Sequence, residues 1–365
     1  MNHQSIIRFL ENIAPPAYQE SYDNCGLIIG NKNTECSGII CTLDVTEDVI
    51  TEAKQKNCNL IVAHHPLIFN SIKKINGNNY VEKAIIAAIK NNIAVYAIHT
   101  NLDNVQNGVN ATIAHKLNLQ NTKILLPKQN IYTKLFTFVP IEYAEKIKNA
   151  LFNAGAGNIG NYSECSFGAE GKGSFKASEN THPFVGEKNI RHYETEEKVE
   201  VIFPAYLQNK IVEALLAAHP YEEAAYDLVQ LNNASTNIGS GIIGELENET
   251  DEEIFLQLLK KQFGLQVIKH TPLLNKKIKK VAVCGGAGSF LIKQAIAANA
   301  DFFVTADIKY HEFFDADNKI VVADIGHWES EQFAVDLLVN YLRLKFTTFA
   351  VLKTEIDTNP VKYFM

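Results

Sequence analysis

Between Ser37 and about Asn118 the sequence alternates short apolar runs with amphipathic stretches, and the same rhythm returns after about residue 240. SGIICTLDV, NLIVAHHPL and IAVYAIHTNL are apolar enough to be buried strands, while TEDVITEAKQKN, YVEKAIIAAIKNN and VNATIAHKLN carry apolar residues three and four apart, the helical period. Strands that alternate with helices of this length form a largely parallel sheet. In the second stretch DEEIFLQLLKKQF predicts a helix, KKVAVCGGAG a strand running into a Gly-rich turn, and SFLIKQAIAANA a helix. DFFVTAD and KIVVADIG predict strands, and SEQFAVDLLVNYLRLKF the final amphipathic helix. The expected fold is α/β, with two related halves forming one mostly parallel-sheet core.

The segment between the halves has a different texture. It opens after LLPKQN and closes before NNASTNIGSG, whose Asn, Ser and Gly content marks a boundary. Within it KLFTFVPIEYAEKIKNALFNAGAG and KVEVIFPAYLQNKIVEALLAAHPYEE are alike: each is an apolar strand ending in Val-Pro or Phe-Pro, then a helix, then turn-forming residues. With strands before Lys198 in YSECSFGAEGKGSFKA, this duplication predicts an inserted ferredoxin-like α+β domain. The expected division is residues 1–126 for the N-terminal half, 127–237 for the insertion and 238–365 for the C-terminal half.

A formal charge of −7, with Lys spread among Glu and Asp, argues against nucleic acid as the main partner. No run of eighteen apolar residues lacks a charge, and MNHQSIIRFLENIAPP does not resemble a signal peptide, so the expectation is a cytoplasmic protein with no membrane partner. The six cysteines, Cys25, Cys36, Cys41, Cys58, Cys165 and Cys284, include no C-x-x-C pair and suggest neither a disulfide framework nor a zinc ribbon.

Ligands of parallel α/β sheets gather beyond the carboxyl ends of the strands. There the sequence places His64 and His65, His99 and Asp103, the turn Gly285-Gly286-Ala287-Gly288, Asp307 and His311, and His327 and Glu331. Adjacent histidines at a strand end are costly to bury without partners, and Pro66 biases His65 towards an extended backbone, so the two rings should diverge. Two diverging imidazoles suit two neighbouring metal ions; they also suit backbone carbonyl partners. His327 and Glu331, four apart at a helix start, project from one face and could chelate one ion or clamp two, although a carboxylate there is also favoured by the helix dipole. Asp103 is either a third ligand or the start of a turn. Donors of His, Asp and Glu without Cys point to Zn, Fe, Mn, Ni or Co in a hydrolytic site. Amides of Gly285, Gly286 and Gly288 could cradle a phosphate, or the segment is a plain strand–helix turn. His99, Asp307 and His311 are candidate acid–base groups or supports for the ligands. His3, His115, His182, His192, His219 and His270 have no such pattern.

Together, SYDNCGLIIG, AHHPLIF, HTNLDNV, CGGAGS, TADIKYHE and GHWESE resemble the Nif-three-like family over nearly the whole chain. Its bacterial members are commonly labelled GTP cyclohydrolase I type 2 homologues. The resemblance implies a dinuclear metal site at His64, His65, Asp103, His327 and Glu331, a toroidal homohexamer, and a PII-like or CutA-like character for the insertion. The function it implies is a metal-dependent hydrolase of a nucleotide-like substrate, GTP ring opening by activated water being one form and phosphoester hydrolysis another. The rival is a non-catalytic metal- or nucleotide-binding scaffold.

Overall fold

Three short runs, Ile39–Thr42, Leu60–Ala63 and Ala94–Ala97, form strands buried at every position in the computed structural model, which describes residues 1–364. They pair in parallel, Val351–Lys353 adds in parallel beside Ile39–Thr42, and Gly26–Ile29 closes the other edge antiparallel to Ala94–Ala97, giving a five-stranded sheet. Parallel strands need apolar cover. Helices Glu47–Gln55 and Tyr80–Lys90 supply it, packing Val49, Ile50, Ala84 and Ile85 with Ile40, Ile61 and Val95. Each helix starts on a side-chain cap: Thr46 Oγ1 accepts the Val49 N–H and Asn79 Oδ1 accepts the Glu82 N–H. Burying one such Ile or Val contributes about 1.5–3 kcal/mol, so this layer holds the strand ends firmly.

The second stretch builds a sheet of its own, which corrects the expectation of one mostly parallel core. Its order is Lys269–His270, Val321–Asp324, Phe302–Ala306, Lys277–Ala287, Gly239–Asp251 and Gln120–Pro127, and only the Val321, Phe302 and Lys277 strands are mutually parallel. Gln120–Pro127 and Gly239–Asp251 pair antiparallel with each other, Ile124 opposite Ile242 and Leu126 opposite Ser240. Their polar and turn-forming residues disguise them as linker, since only one side of such a strand needs to be apolar. The expected last helix is also two, His327–Glu331 and Ala334–Lys345. The first turns the polar Glu329, Ser330 and Glu331 inward, whereas the second buries Ala334, Val335, Leu338 and Leu342, so the two serve different neighbours.

The chain forms two compact units, Met1–Pro127 with the chain from Thr236 onward, and Lys128–Ser235. The latter has four antiparallel strands in the order Ser166–Lys176, Arg191–Pro204, Tyr132–Pro140, Tyr226–Leu231. Tyr132–Pro140 and Arg191–Pro204 each end in Pro, pass through a three-residue 3₁₀ turn and enter an eleven-residue helix, Ala144–Ala154 or Gln208–Ala218. Leu135, Val139, Val199, Val201 and Phe203 pack against Ile147, Leu151, Ile211 and Leu215 to form its core. Among the described residues no helix is long and apolar enough to cross a membrane.

Candidate metal centre

His64 and His65 directly follow the strand Leu60–Ala63, and their amides continue its ladder by donating to the carbonyls of Thr42 and Leu43 at 3.0 and 2.9 Å. Their backbone is therefore fixed before any side chain is considered. The His64 ring is wholly buried and its Nδ1–H donates to the Ile98 carbonyl at 2.9 Å, which aims Nε2 the other way. Nε2 then lies 3.5 Å from Asp103 Oδ1 and 3.9 Å from Glu331 Oε1. The His65 ring diverges as expected: Nδ1–H donates to Asp44 Oδ1 at 2.7 Å, and Nε2 lies 2.9 Å from Glu331 Oε2. His327, at the start of its short helix, has Nδ1 on Asp307 Oδ2 at 2.6 Å and Nε2 3.0 Å from Glu331 Oε2.

One carboxylate therefore faces two groups, His64 with Asp103 on its Oε1 side and His65 with His327 on its Oε2 side. In each trio the ligand atoms lie within 4.8 Å of one another, and His64, His65 and His99 form a third such group. His99 Nδ1–H donates to Asp23 Oδ1 at 2.8 Å, and its ring centroid is 5.3 Å from those of both His64 and His65.

The chemistry of these groups suits a cation. His64 Nε2 and Asp103 Oδ1 are among the five buried side-chain atoms that lack a hydrogen-bond partner among the described residues. Two unpaired acceptor-type atoms beside a second carboxylate, that of Glu331, are costly unless a positive charge joins them. Burial, and then the charge of Glu331, push the Asp103 carboxyl well above its ordinary range. Burial would raise Glu331 as well, but the neighbouring imidazoles of His327, His64 and His65 outweigh it and hold that carboxyl well below. Burial lowers His64. For His65 the same burial effect is overcome by Asp44 and Glu331, which raise it to about 9, and for His327 by Asp307 and Glu331, which raise it to about 11. The carboxylates thus create a field that draws positive charge to the inner edge of each ring.

The structure brings together His64, His65, Asp103, His327 and Glu331, with His99 beside them and Asp307 behind His327. His311 stands apart on the exposed 3₁₀ segment Tyr310–Ala316, its ring against Tyr310 and Phe314. The glycine turn differs from a phosphate cradle. Gly285 N–H donates to Asn110 Oδ1 and Gly286 N–H to Ser330 Oγ, both at 2.9 Å, so neither amide is left for a phosphate. The strand also continues to Ala287, and Gly288 precedes a 3₁₀ turn, Ser289–Leu291, that runs into the helix Ile292–Ala297. These glycines serve close approach: a Cβ at Gly285 would lie 3.2 Å from Glu331 Cγ, and one at Gly288 2.3 Å from Thr305 Oγ1.

Sequence reasoning missed Asp44 and Asp23. Asp44 sits two residues beyond Ile39–Thr42, at the carboxyl end of a parallel strand just as His64 and His65 do. Asp23 precedes Gly26–Ile29, the antiparallel edge, where a search of parallel strand ends does not look. A cavity of about 390 Å³ opens on His65, His99, Asp103, His327 and Glu331, with Tyr22, Phe69 and Phe290 at its wall.

Residues 1–360 match the model of a family described as Duf34/NIF3 (NGG1p interacting factor 3). A Bacillus subtilis (strain 168) protein named GTP cyclohydrolase 1 type 2 homolog is 37% identical over 376 residues, spanning 100% of this chain and 99% of its own. A Staphylococcus epidermidis relative of the same name is 36% identical over 367 residues, with both chains covered in full. Among solved structures, the Bacillus cereus protein related to NIF3 matches with a TM-score of 0.84 at 37% identity, covering 100% of this chain and 99% of its own.

Proposed function

Because the chain belongs to the Duf34/NIF3 family, we propose that its histidine–carboxylate cluster holds two divalent metal ions and that the protein is a metal-dependent hydrolase of a nucleotide-like substrate. The observation that carries this reading is the pair of buried, unpartnered atoms, His64 Nε2 and Asp103 Oδ1, facing one oxygen of Glu331 while His65 and His327 face the other. His64, Asp103 and Glu331 would hold one ion, and His65, His327 and Glu331 the other. Two such ions would supply Lewis acidity to a polarised bond in the adjoining cavity.

The chain's own groups do the rest. Ile98, Asp44 and Asp307 each accept an Nδ1–H, which turns Nε2 of all three imidazoles toward the proposed ions. Asp23 orients His99 in the same manner, and His99 Nε2 is the group best placed to move a proton at the cavity wall. Tyr22 and Phe69, with ring centroids 6.2 Å apart, offer an apolar edge to a planar ring. Ring opening of GTP and hydrolysis of a phosphoester both fit this arrangement. Full-length protein stripped by chelator and reloaded with Zn, Mn or Fe is the test: release of formate from GTP, or of phosphate from an ester, must vanish and return. Turnover in metal-free protein defeats the hydrolase reading, and an intact metal site with no turnover favours a binding scaffold.

We also infer that residues 127–237 are an inserted ferredoxin-like domain, supported by the two strand–3₁₀–helix units described above, and that the protein assembles as a closed homohexamer, supported by family membership and by the preference of soluble proteins for closed symmetry. Light scattering that finds a monomer at micromolar concentration defeats the latter.

A further inference from the structure

The unit Lys128–Ser235 contains a cavity of about 810 Å³ that the metal centre does not use, a volume typical of small-molecule sites. Phe138, Glu196 and Lys198 line it, and along their strands they alternate with the core residues Val139 and Val199, so it opens on the sheet face opposite the helices.

Glu196 is 8% exposed there. Tyr221 O–H donates to its Oε1 at 2.8 Å, and no ion pair among the described residues includes it. Of the lysines on the lining, Lys198 Nζ is 2.7 Å from Glu200 Oε1 and 4.2 Å above the Phe136 ring, Lys172 Nζ is 5.2 Å above the Tyr193 ring, and neither they nor Lys176 pair with Glu196. Gly173 on the next strand makes room for the carboxylate, since a Cβ there would fall 2.1 Å from Glu196 Oε2. Around the phenol that holds Glu196, the rings of Phe175 and Phe184 each lie 6.2 Å from the Tyr221 ring, centroid to centroid.

A buried carboxylate with one hydrogen bond and no cation is unfavourable for folding. Electron-rich ring faces beside it attract the same kind of partner that a carboxylate does. We propose that this cavity is a binding site for an organic cation, an ammonium set against Glu196 with its apolar body among Phe175, Tyr221 and Phe184. An anion meets the Glu196 charge, and a neutral molecule of the same shape forfeits the pairing.

Three probes that share one ring and differ in charge test this on the full-length protein by isothermal titration: benzylammonium, benzyl alcohol and benzoate. Benzylammonium should bind saturably and about tenfold more tightly than benzyl alcohol, with no binding of benzoate. Glu196→Gln keeps the acceptor for Tyr221 and should bring cation and alcohol to within about twofold of each other. Its melting temperature should stay level or rise, since a buried charge is removed. Phe184→Ala, at a half-exposed position, should weaken the cation about fivefold. Benzoate binding as tightly as benzylammonium, no saturable cation binding, or a preference for the cation that survives Glu196→Gln overturns the proposal. Should Glu196→Gln fail to fold, the probe series on the natural chain and on Phe184→Ala decides.

Discussion

Gly286 and Glu331 stand so close that a β-carbon on residue 286 would fall 2.5 Å from Glu331 Oε1. Gly286 also has a φ of +60°, a conformation that side-chain-bearing residues rarely adopt. Its N–H donates to Ser330 Oγ, one residue before the carboxylate. The end of Lys277–Ala287 and the short helix His327–Glu331 are thus fitted to each other around one acidic side chain.

Gly286→Ala should therefore act twice. The left-handed backbone alone should cost about 1–2 kcal/mol, read as a shift in the urea midpoint. The displaced Glu331 should also lower bound metal, measured by elemental analysis, to below about half of the natural protein's content. Unchanged metal content would separate the close fit from the function proposed for Glu331.

Glu331→Ala should lose both ions together, because the two trios proposed to hold them share its carboxylate. The natural chain should carry about two divalent ions and this variant close to none. His115→Ala, at an exposed position in the helix Val109–Lys116, is the control and should leave metal content unchanged. Full occupancy in Glu331→Ala would exclude the shared carboxylate.

Asp44→Ala leaves every proposed ligand in place but removes the acceptor of His65 Nδ1–H. Loss of such a support typically weakens metal binding about 10–100-fold. Chelator competition should show that loss for the ion held by His65 and a smaller change for the one held by His64, whose Nδ1–H rests on the Ile98 carbonyl.

Glu52 gives a pH prediction away from the centre. Burial pushes its carboxyl up, but hydrogen bonds from Lys56 Nζ, Thr354 Oγ1 and the Glu355 N–H outweigh burial and hold it below the ordinary value. A carboxyl lowered in the folded state stabilises the protein above its unfolded pKa of about 4.3, and that contribution disappears as pH falls through the folded value. The fall in Tm between about pH 6 and pH 3 should be smaller in Glu52→Gln than in the natural chain. An identical fall in both would remove Glu52 from the acid response.

The sequence makes the three central strands of the first sheet legible, though not its edges Gly26–Ile29 and Val351–Lys353, because Ile39–Thr42, Leu60–Ala63 and Ala94–Ala97 are buried on both faces and their apolar runs are unbroken. His64 and His65 stand out for the same reason, as polar residues that interrupt such a run. Gln120–Pro127 and Gly239–Asp251 are obscured because exposed positions fill much of the first and the end of the second. Asp44 and Asp23 look like ordinary turn residues, since nothing local distinguishes an Asp that caps a turn from one that supports a distant imidazole. The glycines were visible, but a glycine needed for phosphate approach and one needed for Glu331 are the same letter; only the neighbouring strand and helix tell them apart.

His65 and Glu331 meet across 266 positions of chain. During synthesis the amino-terminal imidazoles leave the ribosome long before the carboxylate that completes both trios has been made. A nascent or truncated polypeptide therefore has only a partial set of the donors proposed to hold metal. On the proposed metal-binding reading, a chain that stops short of residue 331 lacks the carboxylate common to both trios and should hold neither ion.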